Sequence, residues 1–219
     1  MPFEQITTTK EKSKDEKAEW GQDAEKEIYI PFFTETMGDI FDLAIKTSRE
    51  VDEGPPKIDI IVRFKKDGSH LAVQAASLEL NKRGREKLEE KKECRRFNPF
   101  WKMERISKDC QYYPQNPEEY APKVVLNFDH NVICDAQFDW TGDGRKRRWF
   151  DYFKEREQKE NNKYRDDILK QIIEELEDII EEDEFRKKVS QNYKPKYDCK
   201  SLIQPKLVIL KKALAESSN

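Results

Sequence analysis

Arg145-Lys146-Arg147-Arg148, followed at once by Trp149, is a run of cations with no acidic neighbour inside it. Such a run grips phosphates while an adjacent ring stacks, so these four residues are candidates for a nucleic acid or another anionic partner. A looser grouping covers Lys82 to Lys108, with eleven basic residues against five acidic ones and Phe97, Phe100 and Trp101 interleaved. Its carboxylates read as a solvated helix face with ion pairs one turn apart. Cysteines 94, 110, 134 and 199 and histidines 70 and 130 raise the question of zinc. A set of Cys94, Cys110, Cys134 and His130 lacks the two-to-four-residue ligand pairs of structural zinc sites, so free buried thiols are expected instead. His70 is expected in solvent at the start of a strand, and His130 in a turn. Seven glycines leave no room for a glycine-rich phosphate loop.

One more constellation straddles a predicted hairpin. Pro56-Lys57-Ile58-Asp59 precedes its first strand, and Val73-Gln74-Ala75-Ala76 lies on its second. These residues resemble the core of restriction-endonuclease-like nucleases of the Mrr kind. The resemblance implies a fold in which an Asp ends one strand and a Glu or Gln stands two residues before a Lys on the next. It also implies magnesium held by that Asp and the strand backbone, with the Lys positioning the attacking water. Asp59 and Gln74 match those positions, and Ala76 occupies the lysine's place. Lys82 is the nearest replacement amine and Glu79 a spare carboxylate. The likeness spans residues 56–76 only. Taken as an ordinary hairpin, the same stretch turns Ile58, Ile60 and Val62 inward and Asp59 and Arg63 outward.

A second likeness is weaker in its chemistry. Val125 to Asp135 looks like the phosphatase loop of haloacid-dehalogenase-like hydrolases, but Asn127 stands where the nucleophilic Asp belongs. An amide cannot form an aspartyl-phosphate, and a hairpin turn is the expectation.

The elements that must position these groups follow from spacing. Residues 1–25 alternate Lys and Glu with little to bury and are expected to be a flexible charged arm. Residues 26–219 read as a single α+β domain. Glu27–Phe33 predicts a short strand or extended anchor interrupted by Pro31, and Thr36–Ser48 a helix. Ile58–Phe64 and Leu71–Ala76 flank an Asp-Gly turn and predict a hairpin. Leu78–Arg96 predicts a charged helix and Met103–Ile106 a strand. Lys123–Phe128 and Val132–Phe138 predict a second hairpin. From about 149 to 191 the pattern is one long amphipathic helix with a break near Asn161-Asn162, and Leu207–Leu214 is a strand or short helix. The whole is a mixed sheet of two hairpins packed with helices and a long carboxy-terminal amphipathic helix.

Charged residues make up 40% of the chain and hydrophobic ones 36%, yet 11% aromatics supply a core. The 42 basic and 45 acidic side chains leave a net charge of -3, so no global field favours nucleic acid. No apolar run approaches a membrane span and the amino terminus lacks a signal peptide, which predicts an intracellular protein, cytoplasmic or nuclear, without a membrane partner.

With no intact catalytic set in view, the sequence favours a non-enzymatic interaction module, a subunit or adaptor without a cofactor. Trp149, Phe150 and Phe153, with the seam Ile172, Ile173, Leu176 and Ile180, are its candidate protein contacts. The alternative is a divergent restriction-endonuclease-like nucleic-acid-binding protein, using Mg2+ at Asp59 with Gln74, Glu79 and Lys82.

Overall fold

The computed structural model describes residues 29–48, 51–52, 54, 57–78, 81–107, 112–128, 158–190 and 192–217. A mixed sheet of five strands lies at its centre: β1 (Phe41–Lys46), β2 (Ile60–Phe64), β3 (His70–Ser77), β4 (Phe100–Lys102) and β5 (Tyr120–Phe128). Their order across the sheet is β1-β2-β3-β5-β4. β1, β2 and β3 form an antiparallel meander, β5 runs parallel to β3, and β4 is antiparallel to β5. The helices are α1 (Lys82–Phe97), α2 (Met103–Ser107), α3 (Gln158–Val189) and α4 (Cys199–Ser217).

The β2–β3 hairpin forms where its β-branched runs predict it. Gly68, at φ +69°, adopts the left-handed conformation that closes the turn, and its N–H donates to Phe64 O at 2.9 Å. Almost every residue of β2, β3 and β5 is buried, as expected of strands covered on both faces. From β3 the chain passes through α1, β4 and α2 before it reaches β5, the long connection that parallel neighbours need. Asn81 caps α1, its Oδ1 accepting from Gly84 N at 2.9 Å.

Two apolar layers result, and they differ in size. On one face Ile60, Val62, Leu71, Val73, Val124, Leu126 and Phe128 pack under α3 and α4. The stripe Ile168, Leu169, Ile172, Leu176 and Ile179 of α3 is almost wholly removed from solvent there, joined by Ile203, Leu207 and Leu210 of α4. The other face carries a small cluster of Val51, Ile58, Ile61, Ala72, Met103 and Ala121.

Several local expectations change. Residues 32–36 form a short π-helical turn rather than a strand, placing Phe32 and Phe33 edge-on to Phe128 with centroids 5.7 and 6.3 Å away. A Cβ at Gly38 would meet Thr34 O at 2.5 Å, so the exit from that turn requires glycine. The helix expected over 36–48 is instead the edge strand β1. Its apolar spacing suits either period, and pairing with β2, sealed by the bidentate Arg63–Asp42 ion pair at 2.9 and 3.0 Å, decides the outcome. Met103–Ser107 is helical, the strand being Phe100–Lys102 just before it. β5 pairs in parallel with β3, and its proposed hairpin partner 132–138 lies outside the described residues. α3 runs unbroken through Asn161-Asn162, and the final apolar run is helical.

Candidate functional site

Asp59 sits at the entrance to β2, held from three sides. Its carbonyl accepts from the Thr47 backbone N–H at 3.0 Å and from the Thr47 hydroxyl at 3.2 Å, and that hydroxyl also bonds Ile58 O. Its own N–H donates to Val73 O at 2.9 Å. Its Oδ2 accepts from Ala75 N at 2.6 Å. The Asp59 contacts on β3 therefore bracket Gln74. In an extended residue N–H and C=O point to the same edge, so the Ala75 carbonyl is directed to the side of β3 that the carboxylate occupies.

Gln74 is buried, and its Oε1 has no hydrogen-bond partner. A buried acceptor left unpaired costs about 1–3 kcal/mol, so its presence at this position requires a reason. The parallel register sets Ala72 opposite Lys123 and Gln74 opposite Val125. Because paired residues project to the same face, Gln74 and Lys123 share the side of the sheet that holds the small apolar cluster. Lys123 is 3% exposed. Burial pushes its amine down to about 8, against the pull of the Asp59 carboxylate, and Lys91 and Lys57 depress it further. Lys57 itself holds φ +44°, a left-handed conformation rare outside glycine, two residues before Asp59.

Asp59 thus meets the two β3 residues that flank Gln74, and it is buried rather than turned to solvent. Lys82 does not join them. It is exposed at the start of α1 and lines a charged surface groove of about 410 Å³ with Arg85, Glu86, Glu89, Glu90 and Glu93. Glu79 lies outside the described residues, as do Arg145, Lys146, Arg147, Arg148, Trp149, Phe150 and Phe153. The residue that sequence reasoning missed is Lys123. Its one signal was alternation with Ala121 and Val125 along the strand.

The seam expected to bind a partner has another role. Ile172, Ile173 and Leu176 are buried in this chain's own core, and Ile180 packs against it. A helix whose apolar stripe already covers the sheet presents no docking face there. The polar residues beside that stripe finish the sheet edge. Glu175 Oε2 accepts from Val125 N at 3.1 Å, and Gln171 pairs with Asn127 N and O at 2.9 and 3.2 Å. Arg95, fully buried, makes an ion pair with Glu175 at 3.2 Å, and Lys92 reaches the other Glu175 oxygen at 3.0 Å. The Asn127 side chain bonds the backbone of Leu78 through N–H and C=O at 3.0 and 3.1 Å, which extends β3 by one residue.

His70 is also corrected. It is 1% exposed, with Nδ1 2.7 Å from Glu119 and Nε2 2.8 Å from the Tyr112 hydroxyl. Glu119 additionally accepts from His70 N at 2.8 Å and faces Lys206 at 3.8 Å. This network stands at the far end of β3 from Gln74 and fastens the segment before β5, and α4, to the hairpin. Cys94 is exposed and Cys199 buried, the latter thiol pushed up to about 11 by desolvation and inert at neutral pH. Among the described residues no three His, Cys, Asp or Glu side chains cluster as a metal site, and no helix is long and apolar enough to cross a membrane. Comparison with family models, curated proteins and solved structures finds no match.

Proposed function

We propose that this chain is a divergent restriction-endonuclease-like protein that binds nucleic acid and hydrolyses its backbone with Mg2+ at Asp59 and Gln74. The observation that carries the reading is the orphaned Oε1 of buried Gln74, bracketed by the contacts that Asp59 makes with Val73 and Ala75. Support also comes from the order of elements, an antiparallel hairpin and then a connection through α1, β4 and α2 to a strand parallel with its second arm. Fold likeness alone is a weak warrant, and the site has to bear the weight.

The donor set fits a hard divalent cation. A carboxylate oxygen of Asp59, the amide oxygen of Gln74 and the Ala75 carbonyl are the oxygen ligands that magnesium prefers, with water completing its shell. When bound, the ion would polarise a phosphoryl oxygen and lower the pKa of a coordinated water. The chain's own part is to hold those oxygens still. Thr47 fixes the Asp59 backbone, Ala75 N–H orients the carboxylate, and the small apolar cluster behind them limits water.

The test is scission of plasmid and of single-stranded DNA and RNA with and without Mg2+, with Asp59→Ala alongside. The reading expects metal-dependent cleavage that Asp59→Ala reduces at least a hundredfold. Undiminished cleavage by that variant would contradict the site, and inactivity of the wild type on every substrate would contradict the function.

A further inference from the structure

The contacts among Glu119, His70 and Tyr112 exceed what fastening the hairpin requires. Glu119 alone makes that link, its Oε1 accepting from His70 N at 2.8 Å while it faces Lys206 of α4. The imidazole adds a directed chain. Glu119 Oε2 lies 2.7 Å from Nδ1, and an ionised carboxylate accepts only, so Nδ1 carries the ring hydrogen. Nε2 of the neutral ring is then an acceptor, and the Tyr112 hydroxyl 2.8 Å away donates to it. A hydroxyl bonded to a base that a third group orients is the arrangement of an activated nucleophile. His70 is buried and Tyr112 half-buried, so a reactant meets the chain at its Tyr112 end. Arg63 is the register partner of His70 on β2 and projects from the same face. Its Nε and Nη2 bond Asp42, its side chain is 27% exposed, and it also faces the Tyr112 hydroxyl. Trp101, packed on the same small cluster as Tyr112, keeps a buried Nε1–H without a partner. Donors of this kind suit an electrophile with several acceptor oxygens, a phosphoryl group.

We propose that Tyr112 is a nucleophile toward the phosphorus of a small phosphoester, with His70 as its base, Glu119 positioning the imidazole and Arg63 donating to the phosphoryl oxygens. The bond from Tyr112 Oη to phosphorus forms as the bond from phosphorus to the leaving oxygen breaks. The phenol proton passes to Nε2 and from there to the leaving oxygen, while Nδ1 keeps its hydrogen on Glu119. Water then attacks the phosphotyrosyl adduct, Nε2 takes its proton, and the phenol is restored. The chemistry needs water alone as co-reactant and stands apart from Asp59 and Gln74.

The adjacent Tyr113, 91% exposed, is an internal control. The full chain is treated in EDTA with an alkyl fluorophosphonate, whose fluoride leaves as Oη takes the phosphorus, and adducts are mapped by peptide mass spectrometry. Tyr112 should react about tenfold faster than Tyr113 although it is the less accessible of the two. His70→Asn and Glu119→Gln should each slow Tyr112 about tenfold without changing Tyr113, and Arg63→Gln should slow it about threefold. A network that only holds the fold would give Tyr112 no such preference. Faster labelling of Tyr113, or an unchanged Tyr112 rate in folded His70→Asn or Glu119→Gln, overturns the proposal. Where those buried variants do not fold, the wild-type ratio and the partly exposed Arg63→Gln decide. Acylation of Tyr112 by para-nitrophenyl acetate without reaction at phosphorus overturns the phosphoryl assignment. Turnover of para-nitrophenyl phosphate should disappear in Tyr112→Phe, and labelling without turnover overturns the hydrolytic half. Because EDTA removes divalent ions, these outcomes are independent of the cleavage test at Asp59.

Discussion

Two buried charged groups lie along β5, and they are built on opposite principles. At its outer edge Arg95 and Lys92 share Glu175, which also accepts from the Val125 N–H, and Arg95 lies 3.8 and 3.7 Å from Asp178 and Glu182, so each cation has a carboxylate beside it. On the sheet face the Lys123 amine is buried in the field of the Asp59 carboxylate, and Gln74 keeps an acceptor unpaired. The first arrangement seals a strand edge that would otherwise present bare N–H and C=O groups. The second seals no edge: it sets a buried amine, a carboxylate and a buried amide on a face already covered by the small apolar cluster. The contrast teaches that burial of charge by itself does not mark a site. Burial with no edge to seal does.

The comparison breaks if the two groups respond alike to mutation. Arg95→Met should have the largest effect, a loss of about 3 kcal/mol in urea unfolding, because it leaves Glu175 buried with only the half-buried Lys92. Lys123→Met should move the other way. Removing an ammonium held in a dry site should raise stability at pH 7 by roughly 2 kcal/mol, within the penalty implied by an amine displaced from its usual value near 10.4 to about 8. A loss there instead would make Lys123 a structural partner of Asp59. Asp59→Ala should cost about 2 kcal/mol, because it leaves the Ala75 N–H without its charged acceptor and the buried Lys123 amine without its carboxylate, while abolishing metal-dependent function.

Lys206 sharpens the contrast through pH. Burial lowers its amine, with Glu119 opposing. The unfolded chain therefore holds the proton to higher pH than the folded one. Stability should rise as pH climbs from the folded value toward about 10.4, and Lys206→Met should flatten that rise in thermal melts. Smallest of all, Asn81→Ala should cost about 1 kcal/mol by uncapping α1, with no effect on ligand binding.

Much of this arrangement was legible in the chain. The β2–β3 hairpin announces itself through β-branched runs and an Asp-Gly turn, and the α3 stripe through its three- and four-residue spacing. Asp59 and Gln74 were singled out by the resemblance of residues 56–76 to a nuclease core, and the hairpin taken alone turned Asp59 to solvent. Lys123 was not, because a parallel pair leaves no local mark. Its register is set by the long connection from β3 and by the layers above and below, none of which a window on residues 120–128 contains. The same non-local control turned 41–46 into a strand when its spacing also suited a helix. His70 was misjudged for a related reason, since Glu119 and Tyr112 reach it only after β5 is in place.

The most direct test of the central claim is paramagnetic broadening by Mn2+ in amide spectra of the full chain. The account predicts that millimolar Mn2+ selectively broadens the Gln74 side-chain amide and the backbone signals of Asp59 and Ala75, and that Asp59→Ala abolishes the effect. Broadening confined to the exposed carboxylates of α1 and α3, with Gln74 unchanged, would contradict it.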